Sequence, residues 1–117
     1  MTPSIYNFND RYKNDTSNEV KFTITKTIDT IITPVDLTGV SIIMKLKKGV
    51  ASTTSIKTFE VGAGITLTDA SNGVFAVDAF IVNIDAFKYL YDIQITFTDG
   101  VVRTYLKGNF KINQDIS

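Results

Sequence analysis

The groups best suited to acid–base or metal chemistry are the twelve carboxylates: Asp10, Asp15, Glu19, Asp29, Asp36, Glu60, Asp69, Asp78, Asp85, Asp92, Asp99 and Asp115. A general acid and its base need two carboxylates held together in a cleft with separated pKa values. Here most sit beside Asn, Gly or Thr, or on the polar phase of an alternating segment, where Asp serves turns and surfaces. Asp69, Asn72 and Asp78 offer oxygen ligands to calcium across one loop, but their spacing matches no EF-hand, so turn capping is the expectation. Gly62-Ala63-Gly64 has the glycine content of a phosphate cradle. The strand-like Ile65-Thr66-Leu67-Thr68 follows it where a helix N-terminus would be needed, so it reads as a turn.

The chain has no histidine and no cysteine. Their absence removes Ser-His-Asp and Cys-His nucleophiles, His- or Cys-built zinc sites, thiol redox chemistry and disulfides. No Ser-x-x-Lys arrangement occurs. The sequence therefore predicts no enzyme, no cofactor and no metal.

At 117 residues and 44% hydrophobic composition the chain predicts one domain with its own core. Twelve basic and twelve acidic side chains cancel, which argues against nucleic acid or an anionic membrane as the main partner. Near-zero net charge also removes one protection against self-association. The polar start, MTPSIYNFNDRYKND, does not read as a signal peptide, and no apolar run is long enough to span a membrane. Synthesis and folding in a cytoplasm is the expectation.

These residues are positioned by β-structure. Tyr89 to Ile112 reads as a hairpin closed by a two-residue type I′ turn at Asp99-Gly100. That register sets Thr96 opposite Arg103, Ile95 opposite Thr104, Ile93 opposite Leu106 and Asp92 opposite Lys107. It gathers Tyr91, Ile93, Ile95, Phe97, Val102, Thr104 and Leu106 on one face, with Tyr105 on the polar one. Glu19 to Ile28 alternates but is apolar only over its first half, and Asp29 to Leu37 carries Pro34 and suits an edge. Val40–Lys48, Ser55–Val61, Ile65–Thr68 and Val74–Asp78 complete the strands, with turns at Gly39, Gly64, Asn72-Gly73 and Asp99-Gly100. Residues 79–88 fit a short helical turn through Ile81, Ile84 and Phe87. Residues 1–18 form an N-terminal arm or edge strand that packs on its own domain or reaches a neighbour, with Tyr6, Phe8 and Tyr12 as candidate interaction residues beside Tyr105. Residues 19–117 read as an antiparallel immunoglobulin-like β-sandwich of seven to nine short strands, in which Tyr91 would form a tyrosine corner.

The second half carries a resemblance. Gly64-Ile65-Thr66-Leu67-Thr68-Asp69, Gly73-Val74-Phe75, Val77, Tyr89, Tyr91-Asp92-Ile93, Asp99-Gly100, Val102, Thr104, Leu106-x-Gly108 and Phe110-x-Ile112 resemble the Ig-like domain of tailed-phage virion proteins. The N-terminal domain of phage baseplate upper proteins represents that family. Val35-Asp36-Leu37-Thr38-Gly39-Val40 is similar to its opening half. The family's Pro-Gly pair before the tyrosine strand is replaced here by Ala86-Phe87-Lys88. The resemblance implies a non-enzymatic structural protein, made in the host cytoplasm and assembled into the virion in multiple copies. It would dock on tail, baseplate or other virion proteins as adaptor or decoration, with a head-fibre or head-decoration role as an alternative. A carbohydrate-binding adhesion module is a further alternative, for which exposed tyrosines would have to form a platform.

Overall fold

The structure, a computed structural model, describes residues 4–49 and 55–114. Asp115 and most of the loop expected between Gly49 and Thr54 lie outside the described residues. In chain order the strands are β1 (Ser4–Ile5), β2 (Arg11–Tyr12), β3 (Thr16–Ser17), β4 (Val20–Thr23), β5 (Thr25–Ile28), β6 (Ile31–Pro34) and β7 (Ser41–Lys47). They continue with β8 (Lys57–Val61), β9 (Gly64–Asp69), β10 (Val74–Val77), β11 (Phe80–Ile81), β12 (Phe87–Thr96) and β13 (Val102–Asn113). The fold is all-β.

One curled sheet dominates, in the order β1-β13-β12-β7-β8-β9-β10-β4, with β2 also pairing β13. Alternation builds its inner face. Ile42, Met44 and Leu46 of β7, Tyr89, Tyr91, Ile93 and Ile95 of β12, and Leu106, Phe110 and Ile112 of β13 are all buried. Phe22, Ile65, Phe75 and Val77 from the other end of the sheet close over them in one cluster. The sheet is mixed, which corrects the all-antiparallel expectation: β1 and β2 run parallel to β13, and β8 meets β9 in parallel register over two residue pairs. The first parallel contact exists because the chain's start is laid along its last strand. Tyr6 N–H and Phe8 N–H donate to the Lys107 and Asn109 carbonyls, each at 3.0 Å. The second sits at the Gly62-Ala63-Gly64 corner that joins β8 to β9.

The β12–β13 hairpin has the expected register from Tyr91↔Gly108 to Ile93↔Leu106. Nearer the turn it is shifted by one, with Ile95↔Arg103 and Thr96↔Val102. The connection is a three-residue loop, Thr98-Asp99-Gly100. Gly100 N–H donates to the Phe97 carbonyl at 2.9 Å and Phe97 N–H to the Val101 carbonyl at 2.8 Å. Gly100 takes φ +89°, the left-handed residue that such a loop requires. The extra loop residue is compensated by a bulge that leaves Tyr105 unpaired. The consequence reverses the expected faces of residues 102–105: Val102 is exposed, Thr104 stands opposite Gln94, Arg103 stands opposite Ile95, and Tyr105 turns inward to meet Phe97 at 6.2 Å between ring centroids.

Two further segments differ from expectation. Residues 79–88 form no helical turn. Phe80 and Ile81 pair instead with Ser17 and Thr16, and Val82 exchanges backbone hydrogen bonds with Asn14 and Asp15. The arm thus supplies the partners that a local helix would have supplied. The helical turn lies at Ala70–Asn72, ended by Gly73 in the left-handed region. The Asn14 to Asn18 stretch, made of turn-forming residue types, contains β3, whose Ser17 is buried and accepts a 2.7 Å hydrogen bond from Arg11 Nε.

Phe8 is the residue through which the arm enters the core. It packs against Phe22, Tyr91 and Phe110. Phe8→Ala is expected to destabilise the fold by about 3–5 kcal/mol, measured as the shift in urea midpoint at constant slope. A loss below about 1 kcal/mol would show the arm to be an accessory to an already complete core.

Candidate functional site

The carboxylates are dispersed among the described residues, and several have partners of their own. Asp36 accepts from the Thr38 side chain and backbone, which hold its pKa below the ordinary carboxylate value. Asp69 accepts from Asn72 Nδ2 at 2.9 Å, and Asp78 accepts from Thr66 Oγ1 at 2.8 Å. These contacts divide the Asp69, Asn72 and Asp78 oxygens between two partners. Asp99 accepts from Val101 N–H within its turn, and Asp85 pairs with Lys13 Nζ at 3.0 Å, lowering its pKa. Among the described residues no group of three or more acidic side chains is placed to hold a metal ion.

The candidate aromatics separate into seam and surface. Phe8 is buried, which withdraws it from any external contact. Tyr6 is 37% exposed, yet its ring meets Phe8 and Phe22 edge-on at 5.1 and 5.3 Å. Tyr12, at 46%, is the most open of the four. Tyr105 is half-buried in a groove. Tyr6 and Tyr12 line one shallow concavity with Arg11 and Asp10, whereas Tyr105 lines a different one. Gly39, Gly64, Gly73 and Gly100 all take positive φ at their turns, with Asn72 ending the helical turn before Gly73 and Asp99 inside the hairpin loop.

A different feature stands out. β5 and β6 pair only with each other among the described strands, forming a two-stranded ribbon. Its base is anchored where Ile24 N–H donates to the Gly73 carbonyl and Val35 N–H to the Ile24 carbonyl. Every residue of β5 is exposed, and the tip presents Ile28, Ile31 and Ile32 at 56, 64 and 68% exposure. The tip turn is Asp29-Thr30 with φ of +50° and +68°. This is the two-residue loop of a tight hairpin, built without the glycine or asparagine that favours it. A β-branched residue in the left-handed region is a costly choice, so the sequence carried no turn signal there. The available signal was the isoleucines flanking an Asp-Thr pair.

Beside the ribbon's base lies a groove of about 730 Å³ between β5 and the end of the β12–β13 hairpin. Val35, Phe97, Val101 and Tyr105 give it apolar walls, and Lys26 and Arg103 flank it with Asp99 opposing. No protein-family model matches the chain, and no curated protein or solved structure matches it at a significant level. No helix of the described residues is long and apolar enough to cross a membrane.

The seam beneath the arm has a titration of its own. Tyr91 Oη donates to the Tyr6 carbonyl, and burial raises its pKa far above the ordinary tyrosine value of 10.0. The folded state therefore keeps a proton that the unfolded chain releases above about pH 10, so stability is full below that pH and falls as pH rises further. Tyr91→Phe is expected to cost about 1 kcal/mol at neutral pH through the lost hydrogen bond. It should also flatten the alkaline decline, read from urea midpoints between about pH 8 and 11. An unaltered alkaline slope would place the titration elsewhere.

Proposed function

We propose that this chain is a non-enzymatic structural module of a tailed-phage type of particle, an Ig-like sandwich that assembles in multiple copies. The ribbon carries this reading. An isolated two-stranded hairpin is marginal in water, and this one exposes three isoleucines and spends backbone strain on its turn. Such an element suits insertion into a neighbour.

The occupant we assign to the groove is the ribbon tip of a second copy. The tip is apolar with one carboxylate, Asp29, and the groove combines apolar walls with two cations, Lys26 and Arg103, against one carboxylate, Asp99. Tip and groove are different surfaces, so the contact is head-to-tail and generates a ring or an open array. A tip of this size is well short of the roughly 800 Å² per partner of a standard stable interface, so single contacts are weak and repetition strengthens them.

The Ig-like reading draws support from strand order. β13-β12-β7-β8 against β4-β10-β9 follows the order G-F-C-C′ against B-E-D of a sandwich of that type. The ribbon then lies within the B–C connection. Tyr89, two residues before the tyrosine first considered, donates from its hydroxyl to the Asp85 carbonyl four residues upstream, as a tyrosine corner does. The placement in a phage particle rests on the resemblance over about residues 20–112.

Light scattering over a wide concentration range is expected to show mass rising above the 12.9 kDa monomer. Ile31→Lys combined with Ile32→Lys should hold the chain monomeric while changing folding stability by no more than about 0.5 kcal/mol, as exposed substitutions do. A wild-type monomer throughout, or a double variant that associates like wild type, would remove the ribbon from the reading. Stoichiometric rebinding to particles lacking the chain tests the particle itself.

A further inference from the structure

We propose that the outer face of β7, β12 and β13 binds an acidic polysaccharide. The sheet aligns side chains in rows across these strands. Lys45, Asp92 and Lys107 stand opposite one another, Lys47, Leu90 and Asn109 form the next row, and Lys88 faces Lys111 in the row after. Alternation puts all of them on the side away from the core. Five ammonium groups thus share one face with a single carboxylate on these three strands. Glu60 lies one strand further, beside Ile43 at the far corner. A chain of zero net charge has therefore concentrated its cations here, and the balance of the whole sequence concealed the patch. Strand spacing of about 4.8 Å places Lys45 and Lys107 roughly 10 Å apart.

The arrangement has a stability cost. Like charges directly opposite across a strand pair are destabilising, and Lys88↔Lys111 is such a pair. Asp92 lies between Lys45 and Lys107, but the salt bridge among the described residues is Lys13–Asp85, on another part of the surface. The face is also shaped: a concavity of about 580 Å³ is lined by Lys45, Lys47, Asp92 and Lys107 with Leu90 and Asn109, and by Ile5 and Asn7 from the arm. Tyr91 borders it while its ring stays buried in the core.

The chemistry selects among polyanions. Protein interfaces favour Arg and aromatic residues and are depleted in Lys. Single-stranded nucleic acid is held by aromatic side chains on which bases stack. The rows described here contain neither arginine nor an aromatic ring. Lysines act as hydrated point charges on flexible stems, which suits a hydrated polymer with acidic groups in series. The amides between them match sugar hydroxyls, donating and accepting at once. This surface is separate from the ribbon and its groove, so the inference does not depend on the assembly reading.

The test measures binding of the full chain to polygalacturonate, with dextran as the neutral glycan and a single-stranded oligonucleotide as the nucleic acid. Polygalacturonate should bind, dextran should not, and the oligonucleotide should bind at least about tenfold more weakly. Binding should weaken steeply between about 50 and 200 mM salt. Lys45→Gln with Lys107→Gln and Lys111→Gln should reduce polygalacturonate binding at least about tenfold. The same variant should keep or slightly raise the melting temperature, because the Lys88–Lys111 repulsion is gone. Lys21→Gln, on β4, should leave binding unchanged, as should the Ile31→Lys, Ile32→Lys variant that disrupts association. Equal binding of polygalacturonate and dextran, equal binding of the oligonucleotide, or undiminished binding by the triple variant would each overturn the proposal. The wild-type comparison among the three polymers decides the matter even if the triple variant fails to fold.

Discussion

The seam between the two ends of the curled sheet is the constraint on which the structure depends. An eight-position sheet path that begins at β1 and ends at β4 brings its extremes together, and something must fill the joint. The arm does so. Tyr6 and Phe8 meet Phe22 of β4 on one side, while Phe8 meets Tyr91 and Phe110 on the other. Edge-to-face aromatic contacts of this kind add roughly 0.5–1.5 kcal/mol each beyond their buried area. The close approach has a covalent condition at position 108. A Cβ on Gly108 would collide with the Tyr6 carbonyl, so only glycine lets the arm lie against β13.

That closure divides the exterior into surfaces of different chemistry. Away from the seam, the ribbon tip exposes Ile28, Ile31 and Ile32 together on strands that pair only with each other among the described strands. The outer face of β7, β12 and β13 is opposite in kind, cationic and amide-rich. One surface suits a shape-fitted apolar contact between protein copies, and the other suits hydrated, salt-sensitive contacts with a charged polymer. A molecule with both can be joined to an assembly and still present a binding face outward.

Local chemistry decided much of this protein from sequence alone. Alternation in Val40–Lys48, and in Tyr89–Ile112 outside residues 102–105, placed the buried residues correctly, because a half-buried strand admits only one of its two faces to the core. The first-half burial of Glu19–Ile28 was legible for the same reason, and so were turns at Gly39, Gly73 and Gly100, where left-handed backbone favours glycine. The Asp92–Lys107 register was legible too, since the apolar pattern pinned it.

Tertiary structure decided the rest. A hairpin loop one residue longer, balanced by a bulge at Tyr105, leaves the distant register untouched, so no local pattern distinguishes it from the shorter turn. The ribbon turn at Asp29-Thr30 puts a β-branched threonine in the left-handed region, which it disfavours, and the pairing of β5 with β6 holds it there. Phe8 was legible as an aromatic in a polar arm, but its burial depends on partners 14 to 102 residues away. The lysine face was invisible to net charge, because a sum over the chain discards position. It is complete only once β7, distant in sequence, is set beside the β12–β13 hairpin.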